Sequence, residues 1–421
     1  MSNDTERLLG EIECGTAADL AMLVRYNTFP PGPTYLRPLD ELILAGRPHP
    51  GQSTMMRGDL IECVGGSGSG KTTFITHLVF TTILSSHIPD FLSTPLGGKE
   101  LQATMIIPRS HNLSRIIRNL RMSIRNHVLG ISPAIAQKML DRITQESLAR
   151  LTVYRVKSRW KDLALVLKRI LDGISNLPRG NASTSSEQAA APDNDQAAAT
   201  RTGSGKDQGG ERVLKGDRGG AMDLLIIEGI GDAYYPTRWI EEQRGYNVNK
   251  SALSSYGGRK IVGADEVGLR HVMDCIDWIR REVGSVVVMT NQGLRPSKES
   301  SSFFHSHLPH PYPSPYSNPT LPNSVSPSSS TPHWGLTMQI TFNGRVQRGL
   351  QYPAETILSD VLQQQLNAKR QLQKEGRSET GIYECAVRMI DTSTGAVSTR
   401  VGGRFRFGVE RGILFDISGE A

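Results

Sequence analysis

The sequence has few cysteines and no long apolar run, and both shortages narrow the possible classes of protein. Its four cysteines form no Cys-x-x-Cys pair, so neither a zinc site nor a disulfide framework is expected, and a reducing compartment fits. No run reaches the roughly 18 apolar residues of a transmembrane helix, and the polar N-terminus lacks a signal-peptide pattern. The chain is therefore expected to be soluble and intracellular, without a membrane partner.

Hydrophobic residues are also scarce, at 38% of 421 residues, which indicates that part of the chain does not fold into a core. Residues 178–220 are rich in Ala, Gly, Ser, Asp and Gln and are predicted to form a disordered insertion. Residues 296–332 are dominated by Ser, Pro and His, and a flexible loop is favoured there over a recognition loop. The net charge of +7 fits an anionic partner such as nucleic acid, but also many ordinary proteins.

The remaining chain alternates strand and helix. Apolar runs predict strands at Gly58–Val64, Leu101–Ile107, Leu151–Val156, Leu224–Ile227, Ser285–Thr290, Gly335–Phe342, Gly381–Ile390 and Arg404–Val409. Apolar residues at helical spacing predict helices at Thr72–Leu84, Leu113–Ile124, Lys161–Ile174 and Leu269–Ile279. This order predicts an α/β fold with a mainly parallel sheet, helices on both faces and antiparallel closing strands, the last two joined by a hairpin turn at Asp391–Gly395.

A glycine-rich motif between the first strand and the first helix is the most specific signal. The residues Gly65-Gly66-Ser67-Gly68-Ser69-Gly70-Lys71-Thr72 match G-x-x-x-x-G-K-[ST] in full. Glycines allow main-chain N–H groups to surround phosphate oxygens, and the following helix N-terminus adds a favourable partial charge. Lys71 is expected to reach the β- and γ-phosphates and Thr72 to bind Mg²⁺. The motif, with Thr73 after it, predicts a site for ATP and Mg²⁺.

Two polar residues that follow buried strands extend this site. Glu228 comes directly after Leu224–Ile227, where a carboxylate can hold Mg²⁺; an exposed strand-end acid is the alternative. Gln292 ends the triplet Thr290-Asn291-Gln292, which follows the next strand. An amide beside the phosphates can sense the γ-phosphate, although in isolation this triplet is only a turn.

The order of these motifs resembles the RecA-type recombinase family over about Leu39–Arg295 and Trp334–Phe415. Within that family the chain looks most like the eukaryotic recombinase paralogues. The similar stretches are MMRGDLIECVGGSGSGKTTFITHL, LLIIEGIGDAYY, the Trp334 position and FRFGVERGILFD. About 50 residues precede the first strand, which is too short for the helical DNA-binding domain that most paralogues carry.

This resemblance implies a RecA-like P-loop ATPase core at 51–177 and 221–295, with a lead segment at 1–50 and closing strands at 333–421. It also implies a nuclear protein of homologous-recombination repair of double-strand breaks. Such a protein assembles with other paralogues and assists recombinase filaments on single-stranded or branched DNA. Two alternatives stay open: an active DNA-dependent ATPase with strand-exchange ability, and a P-loop small-molecule kinase.

The chain departs from the family pattern after the second strand, where recombinases carry the glutamate that activates water. The region here reads Ile107-Pro108-Arg109-Ser110-His111, and an arginine does not accept a proton. His111 could accept one, but an ordinary loop histidine is the favoured interpretation. No catalytic residue is therefore assigned, and ATP binding with slow or negligible hydrolysis is expected.

The two loops that face DNA in the resembled family correspond to Gly231–Gly263 and Gly293–Pro332. The first loop interleaves cations with aromatic rings, namely Arg238, Trp239, Arg244, Tyr246, Lys250, Tyr256, Arg259 and Lys260. Cations suit phosphates and rings stack on bases, so the loop is a candidate for single-stranded nucleic acid. An ordinary surface loop diluted by Glu241 and Glu242 is an equally open interpretation.

Overall fold

The computed structural model describes the greater part of the predicted strands and helices. The described residues are 31–47, 51–88, 91–175, 222–239, 267–294, 335–346, 381–391, 398–410 and 412–417, with scattered positions between 305 and 370. The predicted insertion 178–220, residues 240–263 of the first loop, Trp334 and most of 296–332 lie outside them. So does most of the lead segment, residues 1–30.

The elements follow the predicted alternation. The longer described α-helices are α1 Arg37–Gly46, α2 Lys71–Ile83, α3 Leu113–Ile131, α4 Gln137–Ala149, α5 Trp160–Ser175 and α6 Leu269–Trp278. The strands are β1 Leu60–Gly65, β2 His87–Ile88, β3 Phe91–Pro95, β4 Ala103–Pro108, β5 Leu151–Val156, β6 Leu224–Ile227, β7 Val286–Asn291, β8 Gly293–Leu294, β9 His305–Ser306, β10 Met338–Val346, β11 Gly381–Asp391, β12 Ser398–Glu410 and β13 Ile413–Asp416.

One nine-stranded sheet organises the described chain, in the order β13-β12-β11-β10-β1-β7-β6-β4-β5. All neighbours from β10 to β5 pair in parallel, whereas β10 to β13 pair antiparallel. The expected α/β architecture, mainly parallel and closed by antiparallel strands, is confirmed. The strand β1 lies inside the sheet, with β7 on one side and β10 on the other. The chain that follows β1 first forms the strands on the β7 side, and only later those on the β10 side.

Apolar side chains pack on both faces of this sheet. Successive residues of a strand point to opposite faces, so Leu60 and Ile61 of β1 belong to different apolar clusters. One cluster includes buried residues of α1, α2, α3 and α4, and the other includes buried residues of α5 and α6. Strands buried on both faces read as continuous apolar runs, which is why Leu224–Ile227 was recognisable from sequence.

The helix α4 and the strand β13 lack a clear apolar pattern of their own in the sequence. The helix α4 buries four positions, of which Thr144 and Ser147 are polar, and the Thr144 hydroxyl donates back to the Leu140 carbonyl at 2.8 Å. These hydroxyls interrupt the apolar stripe that predicts a helix. The strand β13 has only four residues, too few to show an alternation.

Within the described part of the chain, no helix has the length and apolarity needed to cross a membrane.

Candidate nucleotide-binding site

The predicted site residues come together at one edge of the sheet. Parallel strands end at a common edge, and the segments after β1, β4, β6 and β7 carry Gly65–Thr72, His111, Glu228 and Gln292 respectively. In α/β sheets the crevice outside the carboxyl ends of the strands is the usual ligand site, at the point where the chain changes direction in the sheet. The strand β1 occupies that point here.

Three loop positions favour glycine: Gly68, with φ of +71°, and Gly70 for their backbone conformation, and Gly65 for its close packing. Gly70, the N-cap of α2, has φ of +99°, which side chains with a Cβ rarely adopt. A Cβ at Gly65 would lie 2.6 Å from the Phe342 carbonyl oxygen of β10, closer than packing permits. By contrast, a Cβ at Gly66 would meet nothing within 4 Å. The loop is therefore packed tightly against the sheet on one side and open on the other.

Lys71 folds back over this loop. Its Nζ donates to the carbonyl oxygens of Gly65 and Gly66, both at 2.7 Å. Burial lowers the pKa of the Lys71 ammonium, and the nearby Glu228 carboxylate opposes that shift. The cation thus lies at the mouth of the loop, within reach of an anion that binds there.

Thr72 and Glu228 are in direct contact. The Thr72 hydroxyl donates to Glu228 Oε1 at 2.6 Å, and Glu228 is only 4% exposed, which rules out an exposed strand-end acid. The turn after β6 is fixed by the Gly229 N–H, which donates to the Thr290 hydroxyl of β7 at 2.8 Å. The predicted Mg²⁺ ligands are therefore neighbours.

His111 meets the same carboxylate, which the sequence interpretation of an ordinary loop histidine did not foresee. Its Nδ1 lies 3.1 Å from Glu228 Oε2. The hydrogen bond to Glu228 raises the pKa of the imidazole, against a smaller lowering by burial. The only advance signal was position, because His111 follows β4 and β4 pairs with β6. An imidazole thus lies beside the acid that ends β6.

The register of β1 with β7 places Gln292 beside the glycine-rich loop. Asn291 is the partner of Val64 in the β1–β7 pairing, so Gln292 follows at the level of Gly65. Gln292 is exposed at the sheet edge, whereas Asn291 is buried and its Nδ2 donates to Glu62 Oε1 of β1 at 3.3 Å. Thr73, by contrast, lines a cavity of about 450 Å³ between α2, α3 and β13.

The donor set around Thr72 fits a magnesium ion bound together with phosphate. In the described ranges, no group of three or more His, Cys, Asp or Glu side chains is placed to hold a metal. Mg²⁺ does not require such a group, since it is usually bound by one or two protein oxygens, phosphate oxygens and water. The hydroxyl of Thr72 and the carboxylate of Glu228 supply oxygens of this kind at one point.

The described start of the first predicted DNA loop is helical, with a 3-10 turn at Ile230–Ala233 followed by helical residues 234–239, and it is exposed and aromatic. Tyr235 and Trp239 are 58% and 63% exposed, and Arg238 between them is also exposed. Lys157 and Arg159, after β5, line a small cavity together with Asp232 and Ala233 at the start of this loop. Basic and aromatic side chains therefore adjoin each other at the edge of the sheet that carries Glu228.

No protein-family model matches this chain, and no curated protein is significantly similar to it.

Proposed function

We propose that the protein binds ATP with Mg²⁺ in a RecA-like P-loop core. The observation that carries this proposal is the 2.6 Å contact of Thr72 with Glu228, two residues 156 positions apart that the sequence motifs predict to bind one metal ion. The order of the central strands supports it, because Gly65–Thr72 and Gln292 then adjoin the same edge.

Each residue has a defined task in this proposal. Main-chain N–H groups of Gly65–Thr72 bind the phosphates, and Lys71 turns from the loop carbonyls toward the β- and γ-phosphates. Thr72 and Glu228 hold Mg²⁺, which neutralises phosphate charge when bound. Gln292 contacts the γ-phosphate end of the ligand from the neighbouring strand.

Hydrolysis is expected to be slow in the proposed protein. The segment after β4 supplies Arg109, Ser110 and His111, with no carboxylate to accept the proton of an attacking water. The His111 ring is already engaged with Glu228. ATP binding, rather than turnover, would then organise the protein and its assemblies.

The biological role that fits best is that of a recombinase paralogue, of the X-ray repair cross-complementing group 2 kind. In that role the protein acts in nuclear homologous recombination, with other paralogues and single-stranded or branched DNA as partners. Exposed Tyr235 and Trp239 flanking Arg238 support a surface for unpaired bases, which stack on aromatic rings. This role depends on the motif resemblance as well as on the site.

An active DNA-dependent ATPase is the second candidate, and the position of His111 favours it. The Nδ1 atom of His111 lies 3.1 Å from Glu228 Oε2, so the ring, when deprotonated, would be placed to act as a base beside the residues that would hold the metal. DNA-stimulated phosphate release well above background would select this candidate. The third candidate, a small-molecule kinase, would be selected by phosphate transfer to a nucleotide or metabolite acceptor.

The role as a paralogue is tested by affinity purification from cells followed by mass spectrometry. Recovery of recombinase paralogues with the wild-type chain, and reduced recovery with Lys71→Ala, is the expected result. The matched control is Lys161→Ala, an exposed lysine at the start of α5 outside the site. Recovery of metabolic enzymes in place of paralogues would contradict the proposed role.

A further inference from the structure

A carboxylate is fully buried in β1, directly behind the glycine-rich loop. Glu62 lies three residues before Gly65 and has 0% exposure. Its oxygens accept hydrogen bonds from three side chains: Gln339 Nε2 and the Tyr312 hydroxyl, both at 2.8 Å, and Asn291 Nδ2 at 3.3 Å. These donors belong to β10, to the Ser/Pro-rich segment and to β7 respectively. One carboxylate therefore joins both strands that flank β1 to a distant segment.

All three donors are neutral, so the charge of the Glu62 carboxylate is stabilised by these hydrogen bonds and not by a neighbouring cation among them. Burial raises the pKa of Glu62, and the three hydrogen bonds oppose that shift. A buried carboxylate is costly unless its oxygens are hydrogen-bonded, and the loss of one donor leaves part of that cost uncompensated. Breaking the hydrogen bond of the Tyr312 hydroxyl therefore costs more free energy than breaking a hydrogen bond at the protein surface.

Tyr312 comes from the segment that the sequence predicted to be a flexible loop. Its side chain is 4% exposed and, with Leu308 at 8%, belongs to the apolar cluster beneath the sheet. The Tyr312 N–H donates to the Pro309 carbonyl oxygen at 3.0 Å, which forms a turn at the anchor. The described part of this segment is therefore packed into the protein.

We infer that Tyr312 is a positioning residue that fastens the segment between β8 and β10 to β1, and so links that segment to the glycine-rich loop. Glu62 is the shared acceptor: Asn291, adjacent to Gln292, binds the same Oε1 atom as Tyr312. A shift of β1 or of Asn291 on nucleotide binding changes the geometry of the Tyr312 bond, and linkage requires the reverse effect as well. The coupling to nucleotide rests on the proposed function, whereas the anchor itself does not.

Limited proteolysis of the full chain with thermolysin tests the anchor without nucleotide. Tyr312→Phe keeps the ring and removes the hydroxyl, and Tyr316→Phe, four residues later, is the matched control. Cleavage between residues 295 and 334, mapped by mass spectrometry, is expected to be about tenfold faster in Tyr312→Phe, because local opening becomes easier. Glu62→Gln, which keeps an acceptor oxygen for Tyr312, is expected to remain near the wild-type rate. Equal rates in the two tyrosine variants would overturn the anchor.

The same assay with ATP and Mg²⁺ tests the link to the loop. ATP is expected to slow cleavage of this segment in the wild type and to have at least about threefold less effect in Tyr312→Phe, with the melting temperature of both proteins measured as a check on the whole fold. Equal protection of both proteins would overturn the coupling while leaving the anchor. Binding of ATP itself is measured on the same samples, so a failure of the proposed function is distinguished from a failure of the link.

Discussion

The hydroxyl of Thr72 donates to the carboxylate of Glu228 at 2.6 Å, across the strand β7 that lies between β1 and β6 in the sheet. The two residues belong to different segments, one before and one after the predicted insertion at 178–220. Their contact joins the glycine-rich loop to the acid of the buried strand. Replacement of either group should therefore affect metal-dependent binding more than it affects the fold.

Glu228→Gln keeps an oxygen that accepts from Thr72 but removes the negative charge that Mg²⁺ needs. We expect the gain in ATP affinity on adding Mg²⁺ to fall by about tenfold or more, which corresponds to about 1.4 kcal/mol. Affinity for ATP in EDTA should change little. Fluorescent ATP titrations with and without Mg²⁺ measure both quantities, and an unchanged Mg²⁺ effect would remove Glu228 from the metal site.

A pair of glycine substitutions separates stability from ligand binding. In Gly70→Ala the new side chain has to adopt φ of +99° and would meet the Tyr383 ring at 3.1 Å, so we expect a loss of at least about 1–2 kcal/mol in the free energy of unfolding. In Gly66→Ala the methyl group meets no protein atom within 4 Å, so stability should be unchanged while ATP affinity falls. Denaturant unfolding and ATP titration check the pair, and equal stability of both variants would contradict the loop geometry.

His111→Asn tests whether the imidazole takes part in hydrolysis. In the proposed non-catalytic protein, the slow ATPase rate with single-stranded DNA should stay within about threefold of the wild type. A general base contributes about 10²–10⁴-fold to a rate, so a loss of that size would select the active ATPase instead. His87→Asn, an exposed histidine in β2, is the matched control for effects on folding.

Lys99 gives the fold a pH dependence that is separate from the site. Burial lowers its pKa to about 7, and its Nζ lies 5.5 Å from the centre of the Tyr35 ring. The unfolded chain keeps the Lys99 proton up to about pH 10.4. Between pH 7 and that value the unfolded state therefore binds more protons, and this residue makes the protein more stable as pH rises.

Lys99→Met should remove that dependence and raise the free energy of unfolding at pH 7 by on the order of 2 kcal/mol. Urea unfolding at pH 6 and at pH 9 measures the difference in the free energy of unfolding between the variant and the wild type at each pH. The exposed Lys161→Met is the control, for which no change is expected. A variant that is less stable than the wild type at pH 6 would contradict the burial of this ammonium.

The sheet and the glycine-rich loop could be predicted from the sequence because both depend on local patterns. Long apolar runs such as Leu224–Ile227 mark buried parallel strands, and Gly65–Thr72 has to be contiguous to form a loop. The helix α4 was not predicted because its buried face carries the hydroxyls of Thr144 and Ser147. The pairing of β11 with β12 was predicted, whereas β13 is too short to show an alternation and was indicated only by the resemblance of FRFGVERGILFD to a C-terminal hairpin.

The partners of the site residues were beyond sequence analysis because they depend on long-range packing. His111 reaches Glu228 only through the pairing of β4 with β6, and its own neighbours along the chain give no sign of this contact. Tyr312 lies in a Ser/Pro-rich stretch whose composition predicts a flexible loop, yet it donates to Glu62 across 250 residues of chain. A single buried tyrosine does not alter the composition of its segment.

The most direct measurement is calorimetric titration of the purified full chain with ATP and Mg²⁺, repeated on Lys71→Ala. The account predicts saturable binding of one nucleotide per chain, weakened about tenfold or more when the Lys71 ammonium is removed, because a charged hydrogen bond to phosphate is lost. No heat of binding from a folded wild-type chain, or equal affinity in the two proteins, would contradict the assignment of Gly65–Thr72 as a phosphate-binding loop.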